Sequence, residues 1–153
     1  NSSFTQLMDN IDEYSDTLEL SCDQRQDAYI GTVALNYIPS NSVTFTYNGQ
    51  VVGVGCGQQN RVDCIKIAGE KAMKWWNNYT KNFIFTDGSM VMPEFVMSSD
   101  GFLPFEDNIL EAAKYNVKVI VQPGGSIRDP EIKQQCLDHD IKMIVTDQRL
   151  FTH

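Results

Sequence analysis

The chain has 153 residues, a length that favours one domain with a single real core, and 42% apolar against 21% charged residues argues against disorder. A formal net charge of −8 disfavours nucleic acid and anionic membrane as partners, and no apolar run approaches the length of a transmembrane helix. The N-terminus shows no signal-peptide pattern and no initiator Met, which points to a cytoplasmic protein and to a fragment or a processed piece.

The predicted elements begin with an acidic amphipathic helix over 4–20. A second helix is expected over 24–37, ended by Pro39, since the residue before a proline is pushed out of the helical region. Val43, Phe45 and Tyr47 then alternate with Thr44 and Thr46, and Asn48-Gly49 separates two β-rich runs, the signature of a type I′ hairpin over 42–54. Gly53, Gly55 and Gly57 are expected to break its second strand. A long helix follows over 60–79, with Val62, Ile65, Ala68, Ala72 and Trp75 as its buried stripe. Of Trp75 and Trp76, one is expected in the core and one facing a partner. Residues 83–97 suggest short strands. The last third reads helix 107–115, strand 117–122, helix 130–139 and strand 141–146, an alternation that argues an α/β layered sheet.

Three loops could carry chemistry. Residues 53–61 pass from strand to helix through three glycines, where backbone can approach a ligand and free N–H groups attract anions. The spacing is not that of a dinucleotide fingerprint, and a turn ending a hairpin is an equally weighted reading. Residues 122–129 also join strand to helix, with Asp129 or Ser126 as candidate cap and Pro130 near the first turn. Such loops are the usual ligand sites of open α/β sheets, although a plain connection would look the same. Residues 98–108 are expected to form an exposed loop, with Phe102 and Phe105 individually more at home in a core and Asp107 as plausible an N-cap as a ligand contact.

Other arrangements speak against chemistry. His139 and His153 have no nucleophile beside them and are expected to be solvated, and Asp138 and Asp140 mark a polar helix end. Cys22, Cys56, Cys64 and Cys136 show no C-x-x-C spacing and are expected to be reduced and mostly buried. The sequons at Asn1 and Asn78 are read as chance. No H-x-E with P-C-x-x-C is present, so no zinc deaminase site is expected.

The stretches SNSVTFTYNGQVVGVGCGQQNRVDCIKIAGEKA, SSDGFLPFEDN, QPGGSIRD and the terminal QRLFTH are long, ordered and spread over 37–153. In these the chain resembles the family of bifunctional enzymes that carry AICAR transformylase and IMP cyclohydrolase activities. The resemblance implies one domain over 1–153, similar to the C-terminal transformylase subdomain, with a three-layer α/β/α cytidine-deaminase-like fold lacking zinc. It implies transfer of the formyl group of 10-formyltetrahydrofolate to the amine of AICAR, at a site between two subdomains and near a dimer interface. By resemblance Asn41, Arg61, Phe102 and Arg149 contact the nucleotide, while Val62, Asp107, Ser126 and Ile127 contact the folate. An amide, two fork donors, an aromatic face and a carboxylate suit those ligands.

The departures are informative. The family's catalytic Lys-His pair has no match, nor has the cyclohydrolase domain. Glu106 stands where Arg is expected, and Asn60 where Ser is expected. The 83–97 stretch is short, as in bacterial members, whereas Trp75-Trp76 is of the eukaryotic type. No catalytic residue is assigned, and general acid–base help is worth about 10²–10⁴-fold, so the chain alone is expected to be nearly inactive. The rival expectations are a stand-alone nucleotide- or folate-binding regulatory module and a purely structural assembly piece.

Overall fold

The computed structural model describes residues 2–81, 92–103, 106–124 and 129–146. Helix α1, Ser2–Thr17, is followed by α2, Cys22–Ala34, which opens on a capping box: the Ser21 hydroxyl accepts from Gln24 N, and Ser21 N donates to the Gln24 side chain. The single helix expected to reach 37 instead tightens into a 3₁₀ turn, Leu35–Tyr37, and Ile38 is extended ahead of Pro39.

Strands β1, Ser42–Tyr47, and β2, Gln50–Cys56, form the predicted hairpin. Asn48 and Gly49 both have positive φ, 51° and 85°, as a type I′ turn requires. The turn is tied down from α2. Asn48 N and Gly49 N donate to the two carboxylate oxygens of Asp27, at 3.1 and 2.7 Å. Burial pushes the Asp27 carboxyl up from the ordinary range, and these two amides partly offset that.

Gly53 and Gly55 do not break β2. They lie within it and face helix α3, Arg61–Thr80. A Cβ on Gly53 would sit 2.1 Å from the Ala68 carbonyl oxygen, and one on Gly55 would sit 2.0 Å from that of Cys64. The glycines therefore let α3 lie directly on the sheet; only Gly57, at φ 74°, turns the chain out of the strand. The buried face of α3 holds Cys64, Ile65, Ala68, Gly69, Ala72 and Trp76. Trp76 takes the place expected of Trp75, because three helical turns advance about 10.8 residues and carry Ile65 onto 76. Trp75, half-buried, stacks on exposed Tyr79 with ring centroids 5.1 Å apart.

Strand β3 (Phe95–Ser99), helix α4 (Glu106–Lys114), strand β4 (Val117–Gln122), helix α5 (Asp129–Asp138) and strand β5 (Lys142–Val145) complete the fold. The strand order is β2-β1-β3-β4-β5, antiparallel across β2-β1-β3 and parallel across β3-β4-β5. Helices α1 and α2 cover one face, where Leu7, Ile11 and Ala28 pack on Val96, Val119, Val121 and Ile144. The other face is the larger core, in which α3, α4 and α5 bury Ile65, Ala68, Ile109, Ala112, Ile132 and Cys136 against Phe45, Phe95, Met97 and Ile120. Among the described residues, no helix is long and apolar enough to cross a membrane.

Two of the four free cysteines are buried, Cys64 and Cys136; Cys56 is half-buried and Cys22 exposed, so burial is less general than expected. His139 is half-buried rather than fully solvated. Burial pushes the Cys136 thiol from an ordinary 9.0 up to about 12. A folded pKa above the unfolded one means that the contribution is complete below pH 9 and disappears as pH rises through about 12. Urea unfolding at pH 8 and at pH 11 checks this: wild type is expected to lose more stability between them than Cys136→Ala does.

Candidate functional site

The antiparallel pairing of β1 with β3 brings the start of β1 to the carboxyl ends of β2, β3, β4 and β5. This edge is where ligands settle in open α/β sheets. The opposite edge carries a cavity of about 450 Å³ lined by Asp23, Asp27 and Glu94 among others, an acidic environment that suits no anionic ligand.

At the carboxyl edge, Asn60 caps α3 by accepting from Asp63 N at 2.9 Å, and the next residue, Arg61, reaches back over the start of β1. The Arg61 guanidinium is nine-tenths buried and makes three bonds. Nη1 donates to the Ser42 carbonyl at 3.2 Å and pairs with Asp100 Oδ1, and Nη2 donates to Asn41 Oδ1 at 3.2 Å. Asp100, 2% exposed, follows β3 directly. Its Oδ1 also accepts from Ser42 N at 3.0 Å, and its own N donates to the Ser42 carbonyl at 3.2 Å. One ion pair thus ties together β1, β3 and α3. The Cys64 thiol donates to the Asn41 carbonyl at 3.5 Å, and burial pushes that thiol up, so it stays neutral beside the pair.

The described residues of the 98–108 stretch do not form an exposed loop. Ser98 and Ser99 belong to β3, and Ser99, Asp100, Gly101 and Leu103 are buried. Leu103 N donates to the side chain of Gln122, at the end of β4, at 3.0 Å. Half-buried Phe102 is thereby held between two fixed neighbours.

Of the residues picked out by resemblance, the structure brings Asn41 and Arg61 into contact and places Phe102 two residues beyond Arg61's partner Asp100. Val62 is half-buried in the first turn of α3; Asp107 is exposed in the first turn of α4, inside the helix rather than at its N-cap. Ser126, Ile127 and Arg149 lie outside the described residues, as do Phe105, His153 and the candidate Ser126 cap. Asp100 and Ser42 were not singled out. The available signal was an acid immediately after a buried strand, in a chain with a single Arg at the start of its longest helix.

Chemically, the described residues of this cluster offer amide and guanidinium donors and a carboxylate already engaged with a cation; among them is no His or Lys to move a proton.

The AICARFT/IMPCHase bienzyme family model matches residues 5–71. Among curated relatives, the chain is 36% identical over 149 residues to the bifunctional purine biosynthesis protein PurH of Persephonella marina, covering 97% of the chain and 26% of that protein. It is 39% identical over 120 residues to PurH of Lactococcus lactis subsp. cremoris, covering 78% of the chain and 21% of the relative. PurH of Buchnera aphidicola matches at 35% over 128 residues, 84% of the chain and 22% of the relative. The chain is thus similar to the AICARFT/IMPCHase bienzyme family over residues 5–71 and to bifunctional purine biosynthesis proteins over most of its length, and it spans about a quarter of the length of those curated relatives.

Proposed function

We propose that the chain forms the nucleotide- and folate-contacting part of a formyltransferase that moves the formyl group of 10-formyltetrahydrofolate onto the amine of AICAR in IMP synthesis. In this reading the sheet and its two helical layers are the cytidine-deaminase-like α/β/α subdomain of the transformylase. Asn41, Arg61, Phe102 and Arg149 hold the nucleotide, and Val62, Asp107, Ser126 and Ile127 hold the folate. A preceding subdomain supplies the Lys-His pair, in a cytoplasmic homodimer. The observation that carries the reading is the Arg61–Asn41 contact at the carboxyl edge, two of the four nucleotide positions meeting in one cluster.

Calorimetric titration of the chain with AICAR tests it. Wild type is expected to bind, and Arg61→Ala and Arg149→Ala each to weaken binding by about tenfold or more, the loss of a charge-assisted donor. A folded wild type with no affinity for AICAR would count against the reading. The absence of His and Lys from the described cluster favours one alternative, a binding or regulatory module without chemistry of its own. Tetrahydrofolate release by the parent protein, dependent on AICAR, separates the two.

A further inference from the structure

We infer that Asp100 is a positioning residue that cancels the charge of Arg61 through one carboxylate oxygen and offers the other as an acceptor, so that this corner of the site accepts a carboxamide and turns away a carboxylate. The inference rests on the proposed nucleotide site and deepens it.

A guanidinium carries five N–H donors. Three bonds to described residues engage Arg61, which leaves two donors without a partner among them. Asp100 is engaged through Oδ1 alone, by Arg61 and by Ser42 N. Its Oδ2 is buried and has no partner among the described residues. An uncommitted donor and an uncommitted acceptor therefore belong to one buried ion pair. A carboxamide presents the complement, a carbonyl oxygen that accepts and an N–H that donates. A carboxylate presents acceptors only, and would bring a second negative charge against Asp100.

The surroundings add to the bias. The first turn of α3 would ordinarily favour an anion, but Asp63 already lies there, and Asn60 both caps it and donates to its carboxylate at 3.1 Å. Among the described residues, Asp100 is thus the carboxylate paired with this guanidinium, and Asp63 adds a second negative charge to the same end of α3. Gly101 keeps the arrangement tight, since a Cβ there would lie 2.6 Å from Arg61 Nη2. Charge compensation of this kind makes Arg61 a reader of neutral acceptors, unlike an unpaired arginine that grips phosphate.

The test titrates the wild-type chain with AICAR and with the same nucleotide carrying a carboxylate in place of the carboxamide. AICAR is expected to bind about tenfold tighter or more, because like charges placed in contact at an interface are strongly unfavourable. Equal affinity, or a preference for the carboxylate, overturns the inference. In Asp100→Asn, which keeps the shape and loses the charge, the preference should shrink or reverse; a preference left unchanged in a folded variant overturns it. If neither nucleotide binds, the proposed function fails and inorganic phosphate decides this point separately. Phosphate taken up by Asp100→Asn but not by wild type upholds the inference. Phosphate bound by wild type and lost in Arg61→Met overturns it. The wild-type titrations need no variant, so they decide the matter even if Asp100→Asn does not fold.

Discussion

Asp100→Ala is expected to destabilise the chain by about 3–5 kcal/mol, the cost of leaving one member of a buried ion pair without its partner. The side chains of Arg61 and Asp100 are 9% and 2% exposed, so water can do little to rescue the stranded guanidinium. Ser42 N loses its acceptor in the same step. For a chain of this size each kcal/mol moves Tm by about 2–4 °C, so the loss should be plain in a thermal scan. The double variant Arg61→Met/Asp100→Leu removes both charges and fills the space with apolar atoms. Buried pairs replaced in this way are often neutral in stability, and the double variant is expected to recover most of the loss while binding no AICAR. A loss below about 1 kcal/mol in Asp100→Ala would mean that the guanidinium finds water or another partner, as exposed pairs do.

The second large effect concerns the two glycines of β2. In Gly55→Ala the new methyl would lie 2.0 Å from the Cys64 carbonyl oxygen, and in Gly53→Ala it would lie 2.1 Å from that of Ala68. Both obstacles are helix backbone, which cannot swing aside as a side chain does, so α3 must lift from the sheet. Overpacking typically costs about 1–3 kcal/mol and occasionally more; backbone obstacles at both positions place these variants at or above the upper figure. The two should differ in function. Gly55 faces Cys64, one turn from Arg61, whereas Gly53 faces a point further along the helix. Gly55→Ala is therefore expected to weaken AICAR binding more than Gly53→Ala at similar loss of stability. Gly57→Ala is the control: nothing lies within 4 Å, and its cost should be the strain of a φ of 74°, about 1–2 kcal/mol. Equal tolerance of all three substitutions in urea unfolding would refute the packing role.

Those same glycines mark the boundary of what could be read along the chain. From spacing alone they look like the end of a strand or a loop meeting a ligand, because a glycine signals close approach without naming what approaches. The approaching group is a helix 9 or 15 residues away in sequence, Cys64 for Gly55 and Ala68 for Gly53 only once β2 and α3 are stacked. Local periodicity could not see this. It also shifted the stripe of α3 to Trp75 at its far end, where Trp76 is the buried residue, since an error in phase accumulates over several turns.

What the sequence by itself determined was local. The I′ turn followed from Asn48-Gly49, because few residues tolerate two successive positive φ values. Strand β4 runs over Val117–Gln122 as the apolar run predicted, and the α/β alternation of the last third appears as predicted within a residue or two. Asn41, Arg61 and Phe102 were likewise named from motifs, by resemblance. Only the tertiary structure decided that Asn41 and Arg61 meet. The antiparallel step from β1 to β3 pairs Val43 with Ser99 and so folds Ser42 against the next residue, and Asp100, 39 positions from Arg61, becomes the partner of Arg61. An ion pair across that separation leaves no periodic trace in the sequence, because neither charge is chosen by its neighbours along the chain; each is set by the low-dielectric corner that the sheet edge creates.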